Sequence, residues 1–164
     1  MPTELSSRPS PTAAAAGPDG RRKRPTSPLG TLRQHDTELR QIVLRVRSWG
    51  LQQGRGCATD GLTVVVGLAL AGARAGRISP KRWTVDRVDS LLSGAAATWC
   101  AAQGAELPAT LGEALLLWLD FLDAHGALSP GSDRVDELRA AAARRRGRAR
   151  AASRRRHPAG RGSA

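Results

Sequence analysis

The chain has 164 residues, 26 Lys and Arg against 14 Asp and Glu, a formal net charge of +12, and 40% hydrophobic residues. That length accommodates one modest domain with tails. Two cysteines, Cys57 and Cys100, outside any CxxC pattern, and three scattered histidines, His35, His125 and His157, exclude a zinc set by spacing, and no metal or cofactor is expected.

The basicity is unevenly placed. Residues 1–60 carry a net +5, residues 61–138 a net −3, and residues 139–164 hold ten Arg and no acid. Only Lys23 and Lys81 are lysine, so a GC-rich coding bias and selection for an anionic partner both account for the Arg content. The bias accounts less well for the loss of acids after Glu137. The N-terminus shows no apolar run of a signal peptide, and Arg21-Arg22 does not read as a twin-arginine signal because the Lys23-Arg24-Pro25 that follows is not apolar. The longest apolar stretch, Leu62 to Ala73, is interrupted by Gly67 and Gly72 and falls short of the roughly 20 residues of a membrane span. A cytoplasmic protein with free, buried thiols and no membrane span is expected.

Taken in chain order, residues 1–30 hold six of the ten prolines and little to bury, and read as a disordered Pro/Ala/Ser-rich tail. A first helix is predicted over Thr31–Trp49, with Leu32, Leu39, Ile42, Val43, Val46 and Trp49 on one face and Arg33, Arg40 and Arg47 as a stripe on another. Gly50 reads as its stop, and Gln52-Gln53-Gly54-Arg55-Gly56 as a loop. Asp60 to Ala75 is apolar on nearly all sides and is expected to be central. Thr63-Val64-Val65-Val66 favours a strand by propensity, while the Asp60 cap and the run's length favour a helix, which we adopt. Its small residues four apart, Gly67 with Ala71 and Ala69 with Ala73, would admit a close neighbour.

A third helix should begin at Thr84, with Trp83 and Val88 as a hydrophobic staple, and present Val85, Val88, Leu91, Leu92, Ala95, Ala96 and Trp99. A fourth follows a capping box, Thr110-Leu111-Gly112-Glu113, with Gly126 after its end. A fifth starts near Asp133 and extends into the Arg-rich segment as an exposed basic helix. No repeat at a solenoid period is evident. The expectation is an all-α, compact, bundle-like domain of about five helices over 31–143. It is flanked by disordered basic tails, with 144–164 helical at first and then disordered.

Trp83, Val88, Leu91-Leu92, Pro108, Leu111, Ala114-Leu115, Trp118-Leu119 and Leu122 form a framework that resembles small, uncharacterised all-helical proteins of actinobacteria, over about residues 83–142. The resemblance implies a fold class and a cytoplasmic setting but no chemistry.

No catalytic constellation is found, and the protein is read as non-enzymatic. Gly54-Arg55-Gly56 and Gly61 lack the Gly-Lys-Ser/Thr ending of a phosphate loop. Asp120 and Asp123 share a helix face and read as solvated carboxylates, and His125 as a partner of last-turn carbonyls. A helix-turn-helix over Ala96–Trp118 fails, because its second helix has no Arg, Lys, Asn or Gln to meet base edges. Arg144, Arg145, Arg146, Arg148, Arg150, Arg154, Arg155 and Arg156 remain as candidates for sequence-independent binding of nucleic acid or another polyanion, with Arg21, Arg22, Lys23 and Arg24 as a secondary patch. The alternative is an interaction or regulatory module. In it the acidic Leu/Trp-rich helix 110–125 docks a protein partner or a second copy through Leu111, Leu115, Trp118, Leu119 and Leu122.

Overall fold

Ser27 and Pro28 start the first helix. The Ser27 hydroxyl accepts the Gly30 amide at 3.1 Å, and Pro28 lacks an amide that would have no helical partner. The structure, a computed structural model, describes residues 27–144. Their regular structure is all helical, as expected. It comprises α1 Pro28–His35, α2 Thr37–Gln52, α3 Thr59–Arg74, α4 Val85–Ser90, a widened turn Leu91–Ala95, α5 Ala96–Ala102, α6 Leu111–Ala124 and α7 over 135–144. The helical domain thus begins at 28 rather than 31. Leu29 joins the core, an apolar anchor that the surrounding prolines obscured.

The first helix expected over 31–49 is two. At Asp36 the backbone turns extended, and its carboxylate accepts the Leu39 amide at 3.0 Å, capping α2. Gly50 does not stop α2. It is buried where Leu117 of α6 presses on it, and a Cβ there would lie 3.0 Å from both Leu117 methyls. Its role is close approach.

The ambiguous apolar stretch is the helix α3, with nine buried residues from Gly61 to Leu70. A helix bonds its own amides, whereas a strand here would need a ladder partner that an otherwise helical chain does not supply. Asp60 lies in the first turn rather than at the cap, which Ala58 occupies. As expected of a central helix, α3 is covered by α1, α2, α5 and α6. Thr110 and Ala114 of α6 close on Gly61, and the Trp99 ring of α5 lies on Gly67. Thr63, the buried residue with a hydroxyl among the described residues of the core, is satisfied. Its hydroxyl donates to Thr59 O at 2.8 Å and accepts from Arg33 Nη1 at 2.7 Å, which ties α1 to α3.

Thr84 caps α4 as predicted, its hydroxyl accepting the Arg87 amide at 3.2 Å. Fully buried Trp83 donates its Nε1 proton to Pro80 O. The face expected to run straight to Trp99 does not. The Ala96 amide reaches five residues back, to Leu91 O. Ser93 donates to Asp89 O at 2.7 Å, a bond that bends helices, and Gly94 offers little resistance. The extra residue in this turn rotates the buried face to Ala96 and Cys100, leaving Leu92, Ala95 and Trp99 half-buried.

The capping box at Thr110 does not form: no side chain caps α6, and the Thr110 hydroxyl sits against Gly61 of α3 instead. Tertiary packing has taken the group that the local motif would have used.

Four helices end in the same way. Arg55, Arg77, Ala105 and Ala127 each donate an amide to the carbonyl five residues back, after a left-handed glycine at 54, 76, 104 or 126. Two of the connectors that follow match at an offset of fifty residues. Gly76, Ser79-Pro80, Val85-Asp86 and Val88 correspond to Gly126, Ser129-Pro130, Val135-Asp136 and Leu138. They lie side by side: Ser129 N donates to Lys81 O, Asp133 N to Trp83 O, and Trp83 N to Ser132 Oγ. Asp133, expected near the start of the last helix, accepts the Val85 amide at 2.7 Å and so serves α4.

Two glycines of α3 test this packing. A Cβ on Gly67 would lie 2.7 Å from Trp99 Cζ2, whereas on Gly72 its nearest neighbour is 3.8 Å away. Gly67→Ala should destabilise by about 1–3 kcal/mol through overpacking. Gly72→Ala should be neutral or stabilise by up to about 1 kcal/mol, from helix propensity. Urea midpoints of the two variants should therefore move apart; equal shifts would place Trp99 elsewhere.

Candidate polyanion-binding surfaces

Of the C-terminal candidates, Arg144 is exposed at the end of α7. Arg145, Arg146, Arg148, Arg150, Arg154, Arg155 and Arg156 lie outside the described residues, as does the patch Arg21-Arg22-Lys23-Arg24. The proposed docking face of α6 is spent within the chain. Leu111, Leu115, Trp118, Leu119 and Leu122 are all buried against the fold's own helices. The reading that this face meets a partner is corrected on that ground: α3 is covered by it.

Residues 27–144 hold thirteen basic and twelve acidic side chains, and much of this charge is paired internally. Asp120 and Asp123 are not merely solvated. The Asp120 side chain is only 16% exposed and accepts from Arg55 and, at 2.6 Å, from Arg139 Nε. The other arms of Arg139 reach Asp123 and Asp136, each at 3.2 Å. Hydrogen bonding to Asp120, ahead of the attraction of the other carboxylates, raises the Arg139 pKa. This clasp joins the α2–α3 loop, α6 and α7. The buried apolar residues of α7 are Leu138, Ala141 and Ala142, so the clasp adds to a small apolar contact in holding α7 to α6. Arg55, noticed in the sequence only within a glycine loop, is one of its members.

Other arginines are engaged as well. Arg33 turns from the predicted stripe to Asp60, at 3.2 Å, and to Thr63. Arg74 spans Asp36 and Glu38 at 2.8 and 3.0 Å. Arg87 donates to the carbonyls of Ser79 and Arg82 and stacks 4.4 Å from the Trp83 ring, and burial lowers its pKa.

Arg77, Lys81, Arg82, Arg134 and Arg144 are exposed and have no carboxylate partner among the described residues, and three further arginines without one share α2. Arg40, Arg45 and Arg47 are exposed and have no carboxylate partner among the described residues. The helical repeat places Arg40 and Arg47 on one edge of the exposed face and Arg45 on the other, with Gln41, Leu44, Ser48, Leu51 and Gln52 between. The Arg33–Arg40–Arg47 stripe is therefore replaced by a face that includes Arg45. Sequence periodicity missed this because it assumed one unbroken helix.

The groups with chemical potential elsewhere have structural partners. His125 Nδ1 lies 2.7 Å from Phe121 O, and its ring packs on Phe121, as the sequence suggested. Cys57 is half-buried and Cys100 buried, both free. Burial pushes both thiols up, with Glu113 adding to the effect at Cys57, so neither is activated as a thiolate. Among the described residues, no three His, Cys, Asp or Glu gather as a metal set, and no helix is long and apolar enough to cross a membrane. No protein-family model, curated protein or solved structure matches the chain.

Asp36 reports on the internal pairing. Arg74, through its hydrogen bonds, holds the Asp36 carboxyl below the usual range, helped by the Leu39 amide. A lowered folded-state pKa gives stability that is present above the unfolded value, about 3.9, and lost as pH falls through the folded one. Asp36→Asn keeps a capping oxygen but loses the charge. It should cost up to about 1 kcal/mol at neutral pH, and the difference from the wild type should shrink below about pH 4. A deficit unchanged down to about pH 2, followed by thermal melting, would assign the loss to cap geometry instead.

Proposed function

We propose that this protein is a non-enzymatic, cytoplasmic binder of nucleic acid or another extended polyanion, acting through its Arg-rich C-terminal segment without reading sequence. The observation that carries this reading is the partition of charge. The helical domain is close to neutral and much of its charge is paired internally, while eight further Arg and no acid follow Arg144. A segment with many Arg and no acid, beside a domain of nearly balanced charge, is suited to displacing condensed counterions from a phosphate backbone. Arg144 is exposed where α7 meets that segment, and the Arg139 clasp holds the helix that presents it. Arg21, Arg22, Lys23 and Arg24 supply a second, weaker set of cations. Phosphate contacts position a protein without specifying bases, which suits a segment of Arg, Ala, Gly and Ser.

Ending the chain after Arg144 removes those eight Arg and no described residue. On one DNA duplex, the full chain should lose affinity with salt at a log–log slope of about −0.9 per phosphate engaged, or roughly −4 to −7 for five to eight contacts. The shortened chain should lose most of that slope while keeping its helical circular dichroism. Changing the duplex sequence should alter affinity little. Equal slopes for the two chains would refute the tail as the binding segment.

A further inference from the structure

The same charge accounting singles out a second place. Arg33, Arg55, Arg74 and Arg139 are tied to carboxylates, and Arg87 to carbonyls. Among the described residues Arg40, Arg45 and Arg47 have no such tie; Arg77, Lys81 and Arg134 have none either, but only the first three share one helix. Lone surface arginines are ordinary, but three on one face, with no acid between positions 39 and 52, are not dispersed as in a mixed surface. Leu44 and Leu51 are 47% and 57% exposed on the same face.

We propose that the exposed face of α2 is a DNA-duplex contact, laid along the major groove with Arg40 and Arg47 toward one phosphate backbone and Arg45 toward the other. This inference rests on the polyanion reading and adds a site within the folded domain. The dimensions agree: a helix with its side chains is about 10–12 Å across, and the B-form major groove about 12 Å wide. Arg40 and Arg47 stand two turns apart, about 10.5 Å along the axis. Between the arginines lie Gln41, Leu44, Ser48, Leu51 and Gln52, uncharged side chains that can line the groove floor while the phosphate contacts carry the affinity without specifying bases.

Three other anionic partners fit less well. Single strands are held by stacking on exposed aromatics, but Trp83, Trp118 and Phe121 are buried and Trp49 and Trp99 half-buried. An anionic membrane would require a broad apolar face, and here two leucines are interleaved with glutamines and a serine. The major groove of duplex RNA is too deep and narrow for a helix.

The test uses the full chain carrying Arg40→Gln, Arg45→Gln and Arg47→Gln, with a salt titration on a DNA duplex. All three residues are exposed and Gln is a comparable helix former, so the thermal midpoint should hold. The salt slope should become shallower by about two to three, with affinity at about 0.1 M salt reduced tenfold or more. A control chain with Lys81→Gln, Arg82→Gln and Arg134→Gln loses the same charge away from α2, and its slope should change by less than about one. Equal effects of the two sets would overturn the site, since only the overall field would then matter. A full chain that binds DNA with its slope unchanged by the α2 substitutions would overturn it and leave the tail reading standing; no binding by the unsubstituted chain would overturn both. Phosphatidylserine-rich vesicles bound as tightly as DNA, and released by the same α2 substitutions, would overturn it in favour of a membrane contact.

Discussion

Helix α3 has almost no side that can be left to water, and the rest of the fold is arranged to cover it. From Gly61 to Leu70 only Leu68 escapes full burial. Burial of that much apolar surface is the main favourable term available to a domain with few aromatics. The helix also sets how near its neighbours come. Gly61 and Gly67 remove side chains where α6 and the Trp99 ring settle. Thr63, a buried polar residue of this helix, is satisfied by Thr59 O and by Arg33, which reaches it from α1. These positions explain why the Leu/Trp face of α6 belongs to the core. Exposing it to a partner would uncover α3.

Electrostatics then divides the molecule. Inside the domain, arginines close distances: Arg33 joins α1 to α3, Arg74 joins α3 to the start of α2, and Arg139 joins α7 to α6. Individually such partly exposed pairs contribute little, but they settle which cations remain available. Among the described residues these include Arg40, Arg45 and Arg47 on α2 and Arg77, Lys81 and Arg134 elsewhere. A chain of high net charge thereby has a nearly neutral core domain, which avoids self-repulsion in the compact state.

The connectors impose a different kind of order. Each of four helices stops at a left-handed glycine that lets the next amide reach back five residues, and two of those stops continue into matching Ser-Pro turns that lie alongside one another. The pairing is unequal, because Trp83 in one copy is replaced by Asp133 in the other. The first fills the core and the second bonds the start of α4. One segment thus completes a helix fifty residues away.

By itself the sequence determined the helical class, the central place of α3, the caps and stops at Thr84 and Gly126, and the concentration of charge in the ends. Each is a local or periodic property: a hydroxyl before a helix, a glycine after one, an apolar run with no wet side, a stretch without acids. Tertiary structure decided what local pattern left open. Asp36 interrupts an apparently continuous helix because its carboxylate is shared between the Leu39 amide and Arg74, thirty-eight residues on. Thr110 forms no capping box and packs closely on Gly61 of α3, and Asp120 is drawn from solvent by Arg55 and Arg139. The Arg stripe became the α2 face for the same reason. Arg33 found its carboxylate on another helix, while Arg40, Arg45 and Arg47 found none among the described residues, and which outcome befalls a surface cation depends on what the fold brings beside it.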